Sequence, residues 1–421
     1  MKNKLLRNFL QNVALVLLTA SALFLLTRMP MMRNIRLSDQ VQTLFAPPAA
    51  GVVVEGSLPA AMFPSVSLMV TGDSEYGRCG QLCVAADDAS LQDILPLFQE
   101  ALGSAVPGGE ADHDAFRKAL DGAGLCLEFT GGPLPLDAAA AWLGEESGFA
   151  MRLQSMVLAA GEEDAAALYL LDGDGNVFLF TTALPVSAVR ALCERFTPNG
   201  AQFAYETEHA SLPPYTVLTV EAAVLPEIQA ELPAGYSAYN LLTALDFNAH
   251  TLSRYVESGG AEVVEESPRT LRISPDGLVS FTGRAENAPS LYRASGTGLR
   301  EALSAAWRLS VALTEGTGAS PLHLQGAEEQ ENGYTLHFRY EVNGVPVCFS
   351  DKTDALTVIF QNGCITAFTY RCRVYAALEE EPAAMLPAAM AQAIAAVYPG
   401  ASLSVGYADD GSGRLSAQWL R

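Results

Sequence analysis

The sequence predicts an α+β protein: an N-terminal transmembrane helix, then antiparallel-sheet domains with helices packed on one face, the C-terminal part being a duplicated helix-on-meander unit. Three observations carry this. An eighteen-residue apolar run, Phe9 to Leu26, stands between basic flanks at the N-terminus. Period-two alternation around Asn-Gly pairs dominates 333–372, and the order helix, strand, acidic turn, strand occurs twice after residue 295.

The chain has 421 residues, half of them hydrophobic, enough for several cores and too many for general disorder. Its 25 Lys and Arg against 47 Asp and Glu give a net charge of −22. The first 36 residues hold six bases and no acid, so the remainder stands at 19 against 47, or −28. That field repels phosphate backbones and anionic headgroups, and nucleic acid is not expected as a partner.

In the leading segment Lys2, Lys4 and Arg7 precede the apolar run, Gln11 and Asn12 are its only strongly polar members, and Arg28 closes it. At 1.5 Å per residue the helix is about 27 Å long, near one hydrocarbon core. A cleaved signal peptide is the rival, because Ala20-Ser21-Ala22 has the small-x-small form, but Leu23 to Leu26 continue the run past it. The expected layout is therefore a cytoplasmic tail at 1–8, a retained signal anchor at 9–27 and a stalk at 28–50. Basic residues balance across the anchor, and long acidic domains translocate largely regardless of charge, which places 37–421 outside the cell membrane.

The seven cysteines (79, 83, 126, 193, 348, 364 and 372) are odd in number and irregular in spacing, so at least one is unpaired within the chain. Cys79 and Cys83 are either a local disulfide or two free thiols; no second Cys or His pair follows them at ligand spacing, and no metal is expected. The five histidines are scattered, and HExxH, GxSxG and P-loop patterns are missing, so no catalytic residues and no cofactor are assigned. Asp112, His113 and Asp114 form the only dense local cluster and read as a solvated helix start. Asp172-Gly-Asp174-Gly-Asn176 begins like a calcium loop but has Val177 and Ala183 where the turn glycine and closing glutamate belong, so it reads as a hairpin turn.

Along the chain, Leu91, Ile94, Leu95, Phe98 and Leu102 mark a helix with Ser90 as N-cap. A helix over 114–123 leads into strand 124–129, then a short helix over 137–143. A hairpin at 167–182 precedes a helix near 186–196, and a strand pair spans 270–282 around Ser-Pro-Asp-Gly. The outer part is expected to form an α/β domain at 51–150, an α+β domain at 151–285 and a tandem domain at 286–421; the Pro-rich joint near 212–214 and the polar run 284–290 are candidate boundaries. In the last, a helix over 298–315 precedes strand 322–330 and a meander. Tyr334, Leu336, Phe338, Tyr340 and Val342 face one way and Thr335, His337, Arg339 and Glu341 the other. Asn343-Gly344 supplies a two-residue turn pairing Val342 with Val345. At Asn362-Gly363 a three-residue loop pairing Phe360 with Cys364 keeps Leu356, Val358, Phe360, Thr366, Phe368, Tyr370 and Cys372 on one face. Cys348 then points away from Cys364 and Cys372, which lie eight apart on one strand, and all three are free thiols. An Ala-rich helix over 387–398 and strands over 403–407 and 414–420 form a second, shorter copy in the same antiparallel sheet.

The helix-on-meander unit, with Gly333-Tyr-Thr-Leu-His-Phe-Arg-Tyr-Glu-Val-Asn-Gly-Val-Pro-Val347 and a last strand closing on Trp419, is similar to the PepSY-like modules of Gram-positive surface proteins. Joined to the anchor and to Ala123-Gly-Leu-Cys-Leu-Glu-Phe-Thr-Gly-Gly-Pro-Leu-Pro-Leu136, the whole resembles the YycH/YycI family, although this chain is more Ala-rich and acidic, and poorer in Lys, than that family's usual texture. The resemblance implies a single-pass extracytoplasmic regulator, not an enzyme, of the WalK sensor histidine kinase that controls cell-wall metabolism. A sister regulator of the same family is a further implied partner. On that implication Asn12 and Thr19, seven apart on one face of the anchor, with Ala20 and Ser21 beside it, are candidates for touching a kinase helix; the alternative is that they are small residues facing lipid. Two other functions remain: a PepSY-type inhibitor or chaperone of an exported peptidase, and a cell-wall enzyme with an unrecognised site.

Overall fold

The computed structural model describes residues 58–72, 77–146, 149–161, 163–207, 212–219, 224–248, 252–283, 293–378, 383–384 and 404–420. The anchor with Asn12, Thr19, Ala20 and Ser21, and the helix expected over 387–398, lie outside them. Among the described residues no helix is long and apolar enough to cross a membrane. They form a mixed α+β body dominated by antiparallel sheets, and the α-helices among them are α1 (Leu95–Gly103), α2 (His113–Asp121), α3 (Leu136–Leu143), α4 (Val186–Cys193), α5 (Ala238–Ala244) and α6 (Leu299–Thr317).

The first sheet runs in the order Arg78–Val84, Val66–Thr71, Gly124–Phe129, Arg152–Ala159, Ala165–Asp172, Val177–Pro185 and Val106–Ala111, with Leu134–Pro135 beside the fourth strand. Every pairing in it is antiparallel. Both faces are apolar. Leu125, Leu127, Leu158, Leu168 and Leu170 pack with α1, α3 and α4, while Cys126, Val157 and Leu171 meet Phe116 and Leu120 of α2 on the reverse side. Helices were expected on one face only. The second covered face follows from the near-continuous apolar runs Gly124–Phe129 and Ala165–Leu171, which a one-sided sheet would expose.

Several local expectations hold. The Asp112 carboxylate accepts from Ala115 N at 2.7 Å and caps α2, whose Phe116 and Leu120 share one stripe. The hairpin joining Ala165–Asp172 to Val177–Pro185 turns on Asp172, whose carboxylate accepts from Asp174 N, Asn176 N and Asn176 Nδ2. At α1 the start differs. Asp88, not Ser90, caps, and it caps a 3₁₀ turn, Ala89–Leu91, because Pro96 is accommodated only in the first turn of the helix that follows.

The second sheet has eleven strands in the order Ser253–Val256, Glu262–Glu266, Arg269–Ile273, Leu278–Thr282, Cys364–Arg371, Leu356–Gln361, Gly333–Val342, Val345–Phe349, Ser404–Asp409 and Ala417–Leu420, with Leu322–Gln330 on the free edge of Gly333–Val342. Strands on both sides of residue 150 enter the first sheet, and strands on both sides of residue 285 enter the second. Helix α6 lies across the three central strands and buries Ala302, Leu303, Ala306, Leu309 and Leu313 against Leu336, Phe338, Val358, Phe360 and Phe368. Each of those leucines contributes about 2 kcal/mol of apolar burial. Gly318 then stops the helix in the left-handed conformation.

The register at Asn343-Gly344 is as the pattern dictates, Val342 opposite Val345 with both turn residues at positive φ. At Asn362-Gly363 the structure corrects the three-residue loop. The turn has two residues, Gln361 opposite Cys364, and a bulge further on sets Phe360 against Ile365 and Ile359 against Ala367, leaving Thr366 as the extra residue. The Asn-Gly preference for the primed turn prevails, and parity is restored inside the strand. Direction is also corrected in one place. Val345–Phe349 and Ser404–Asp409 run parallel, and Arg414–Leu415 leaves the sheet to pair with Ile228–Glu231. Period-two alternation reports which face is buried and is silent on strand direction.

Candidate functional site

The site is built on the polar side of strand Gly333–Val342. Facing away from α6, Arg339 and Glu341 are nonetheless only 5% and 8% exposed. They are covered by Ser65, in the segment entering the first sheet, and by Gly131 of the turn that follows strand Gly124–Phe129. Glu341 Oε2 accepts from Ser65 N at 3.0 Å and from Ser65 Oγ at 2.5 Å, while Oε1 accepts from Arg339 Nε at 3.1 Å and Nη2 at 2.7 Å. Gly131 stands opposite, where a Cβ would overlap the Arg339 guanidinium and force it to shift. Burial pushes the Glu341 pKa up, but Arg339, His323 and the Ser65 hydroxyl outweigh it and hold the carboxyl below its ordinary range.

Beside this ion pair, Gly344 presses against the Cys83 carbonyl so closely that a Cβ would stand 2.0 Å from it. Cys83 itself adopts φ +56, a left-handed conformation uncommon for a side-chain-bearing residue. The contact leaves a groove of about 500 Å³ at the rim of the seam, bounded by Gln81–Ala85, Asp88 and Ser90 on one side and the Asn343-Gly344 turn on the other. Burial, helped by Glu341 and opposed by Arg339, pushes the Cys83 thiol up to about 11. It is therefore a neutral hydrogen-bonding group at physiological pH, not a nucleophile. The hydrogen bonds from Ser90 hold Asp88 below its ordinary value. The groove thus offers amide, hydroxyl, thiol, carboxylate and backbone groups at the end of a strand, a lining suited to an extended polypeptide.

Other sequence candidates fall elsewhere. His113 Nδ1 hydrogen-bonds Tyr215 Oη at 2.7 Å and stacks on that ring, so the Asp112–Asp114 cluster is a cap plus an aromatic contact. None of the seven cysteines is in a disulfide; Cys348 is exposed, Cys364 and Cys372 are buried, and Cys79 and Cys83 lie four apart on one strand. Among the described residues no group of His, Cys, Asp and Glu could hold a metal ion. Two features escaped the sequence reading. One is the Ser65–Glu341–Arg339 cluster, whose only trace is Arg-x-Glu on one strand face. The other is His337, whose Nδ1 bonds Asp354 Oδ2 at 2.7 Å while its buried Nε2 has no partner. The Asp354 hydrogen bond raises the His337 pKa against the opposing effect of burial.

No protein-family model, curated protein or solved structure matches the chain.

Proposed function

We propose that this protein is a membrane-anchored extracytoplasmic regulator that modulates a two-component sensor histidine kinase of the WalK kind by contacts of its anchor helix and its outer domains. The observation that carries this reading is the seam groove: its lining is polar, with the Asp88 carboxylate as its charged group, its one thiol is held protonated, and it borders a strand end able to hydrogen-bond an extended partner chain. The buried Ser65–Glu341–Arg339 cluster ties the two sheets together at that groove, so a partner seated there contacts both. The basic-flanked apolar run at 9–26 and the resemblance to the YycH/YycI family support the membrane and kinase parts of the proposal. An anchor contacting a kinase helix shifts its signalling equilibrium only by the difference in contact between the two states.

The test is site-directed crosslinking in membranes of the full chain carrying Asn12→Cys or Thr19→Cys. An adduct containing a sensor histidine kinase is expected. A chain found free of the membrane, or anchored without any kinase adduct, refutes the reading. The second reading, an inhibitor or chaperone of an exported peptidase, draws support from α6 lying across the meander; capture of a peptidase by the full chain in place of a kinase would select it.

A further inference from the structure

We propose that a second copy of this chain pairs edge to edge along Ser253–Val256, extending the second sheet across a twofold axis at Tyr255; the proposal is independent of the kinase reading. The strand ends the order of the eleven-stranded sheet and, among the described residues, pairs on one side only, with Glu262–Glu266. All four of its residues are exposed, Tyr255 at 48% and Val256 at 67%. Natural sheet edges are usually blunted by proline, a bulge or lysine. This one carries none of these, and its single base, Arg254, is already paired with Glu262.

The backbone decides how such an edge can be used. Glu257 N donates to Ala261 O at 2.8 Å, so the backbone groups of residues 257, 255 and 253 point toward the neighbouring strand. Those of Arg254 and Val256 point outward. In an antiparallel pair outward residues must face outward residues, which leaves three twofold registers. Arg254 facing Arg254 sets like charges directly opposite. Val256 facing Val256 brings Arg254 opposite Ser258, in the 258–260 turn where the chain folds back. The remaining register sets Arg254 opposite Val256 in both directions, gives four backbone hydrogen bonds, and places the two Tyr255 rings together in the close, non-hydrogen-bonded pair on the axis. Ser253 then faces Glu257, whose carboxylate is held by Arg272 at 2.8 Å. No like charges are opposed, and two aromatic residues shield each other from water.

The test is disulfide trapping of the full chain in detergent, with Cys348→Ser removing the exposed native thiol. In the close pair Cβ atoms lie about 4.5 to 5.5 Å apart, near disulfide reach, so Tyr255→Cys is expected to form a linked dimer with copper phenanthroline. Ser253→Cys, facing Glu257, is expected to form little. Adding Val256→Pro removes one outward donor per copy without touching the ladder to Glu262–Glu266, and should cut the Tyr255→Cys yield about ten-fold. Position 255 crosslinking no better than 253, or a yield unmoved by the proline, overturns the proposal. The same outcomes separate this pairing from association through the anchor, which would not discriminate between neighbouring positions.

Discussion

Replacing Glu341 by Gln probes the seam most directly. The carboxylate takes four hydrogen bonds, two from Ser65 and two from Arg339, and the Glu341 and Arg339 side chains are 2% and 6% exposed. A Gln amide keeps one acceptor oxygen and so about half of those bonds, but it leaves the guanidinium buried without a counter-charge. Breaking one partner of a buried pair costs about 3 to 5 kcal/mol, and the retained bonds place Glu341→Gln near 3 kcal/mol. Replacing the pair together, Arg339→Met with Glu341→Leu, removes both charges but strands the Ser65 hydroxyl and the Ser65 amide N–H; set against the desolvation relieved, that leaves a loss of about 1 to 2 kcal/mol. The double variant should therefore be more stable than the single one. Urea unfolding of the full chain in detergent, followed by tryptophan fluorescence, measures both. Because the folded Glu341 pKa is depressed, its stabilisation is present above the ordinary value of 4.5 and is lost as pH falls through the folded value, so the cost of Glu341→Gln should shrink toward pH 3. A single-variant loss under about 1 kcal/mol at pH 7, or a double variant less stable than the single, refutes the argument that an uncompensated charge governs the seam.

Glu128 gives the opposite sign. Burial, only partly offset by the Val217 N–H, lifts its pKa to about 7 from 4.5, so the fold loses stability as pH rises between those values. Glu128→Gln should stabilise the chain by about 1 to 3 kcal/mol at pH 8 and by almost nothing at pH 4; equal effects at both, by urea midpoint, would count against it. For His337, raised by its Asp354 partner, the contribution is present below the unfolded value of 6.5 and fades as pH rises through the folded one. Asp354→Asn should move the imidazole titration, read by NMR, to lower pH. Gly344→Ala combines φ +75 with a Cβ set against the Cys83 carbonyl, and should cost more than about 2 kcal/mol by thermal or urea unfolding, whereas Gly411→Ala, which meets nothing within 4 Å, should lose only about 1 kcal/mol from its own left-handed φ.

By itself the sequence determined what short-range chemistry controls: the helix start at Asp112, the turns at Asp172 and Asn343, the helix over 298–315, and which face of strand 333–342 is apolar. These were legible because a cap, a primed turn and a period of 2 or 3.6 each involve residues within a few positions of one another. The turn at Asn362 shows the limit: the face pattern led to an expected three-residue loop, whereas the chain takes a two-residue turn and restores parity with a bulge that depends on which partner face is already buried. Only the tertiary structure decided that Arg339 and Glu341, on the polar side of their strand, are buried beneath Ser65 and Gly131. It also decided that α2 covers the second face of the first sheet and that Ser404–Asp409 returns parallel to Val345–Phe349. Each of these joins segments tens to hundreds of residues apart, where the deciding quantity is the apolar area and charge jointly removed from water, and no local pattern records it.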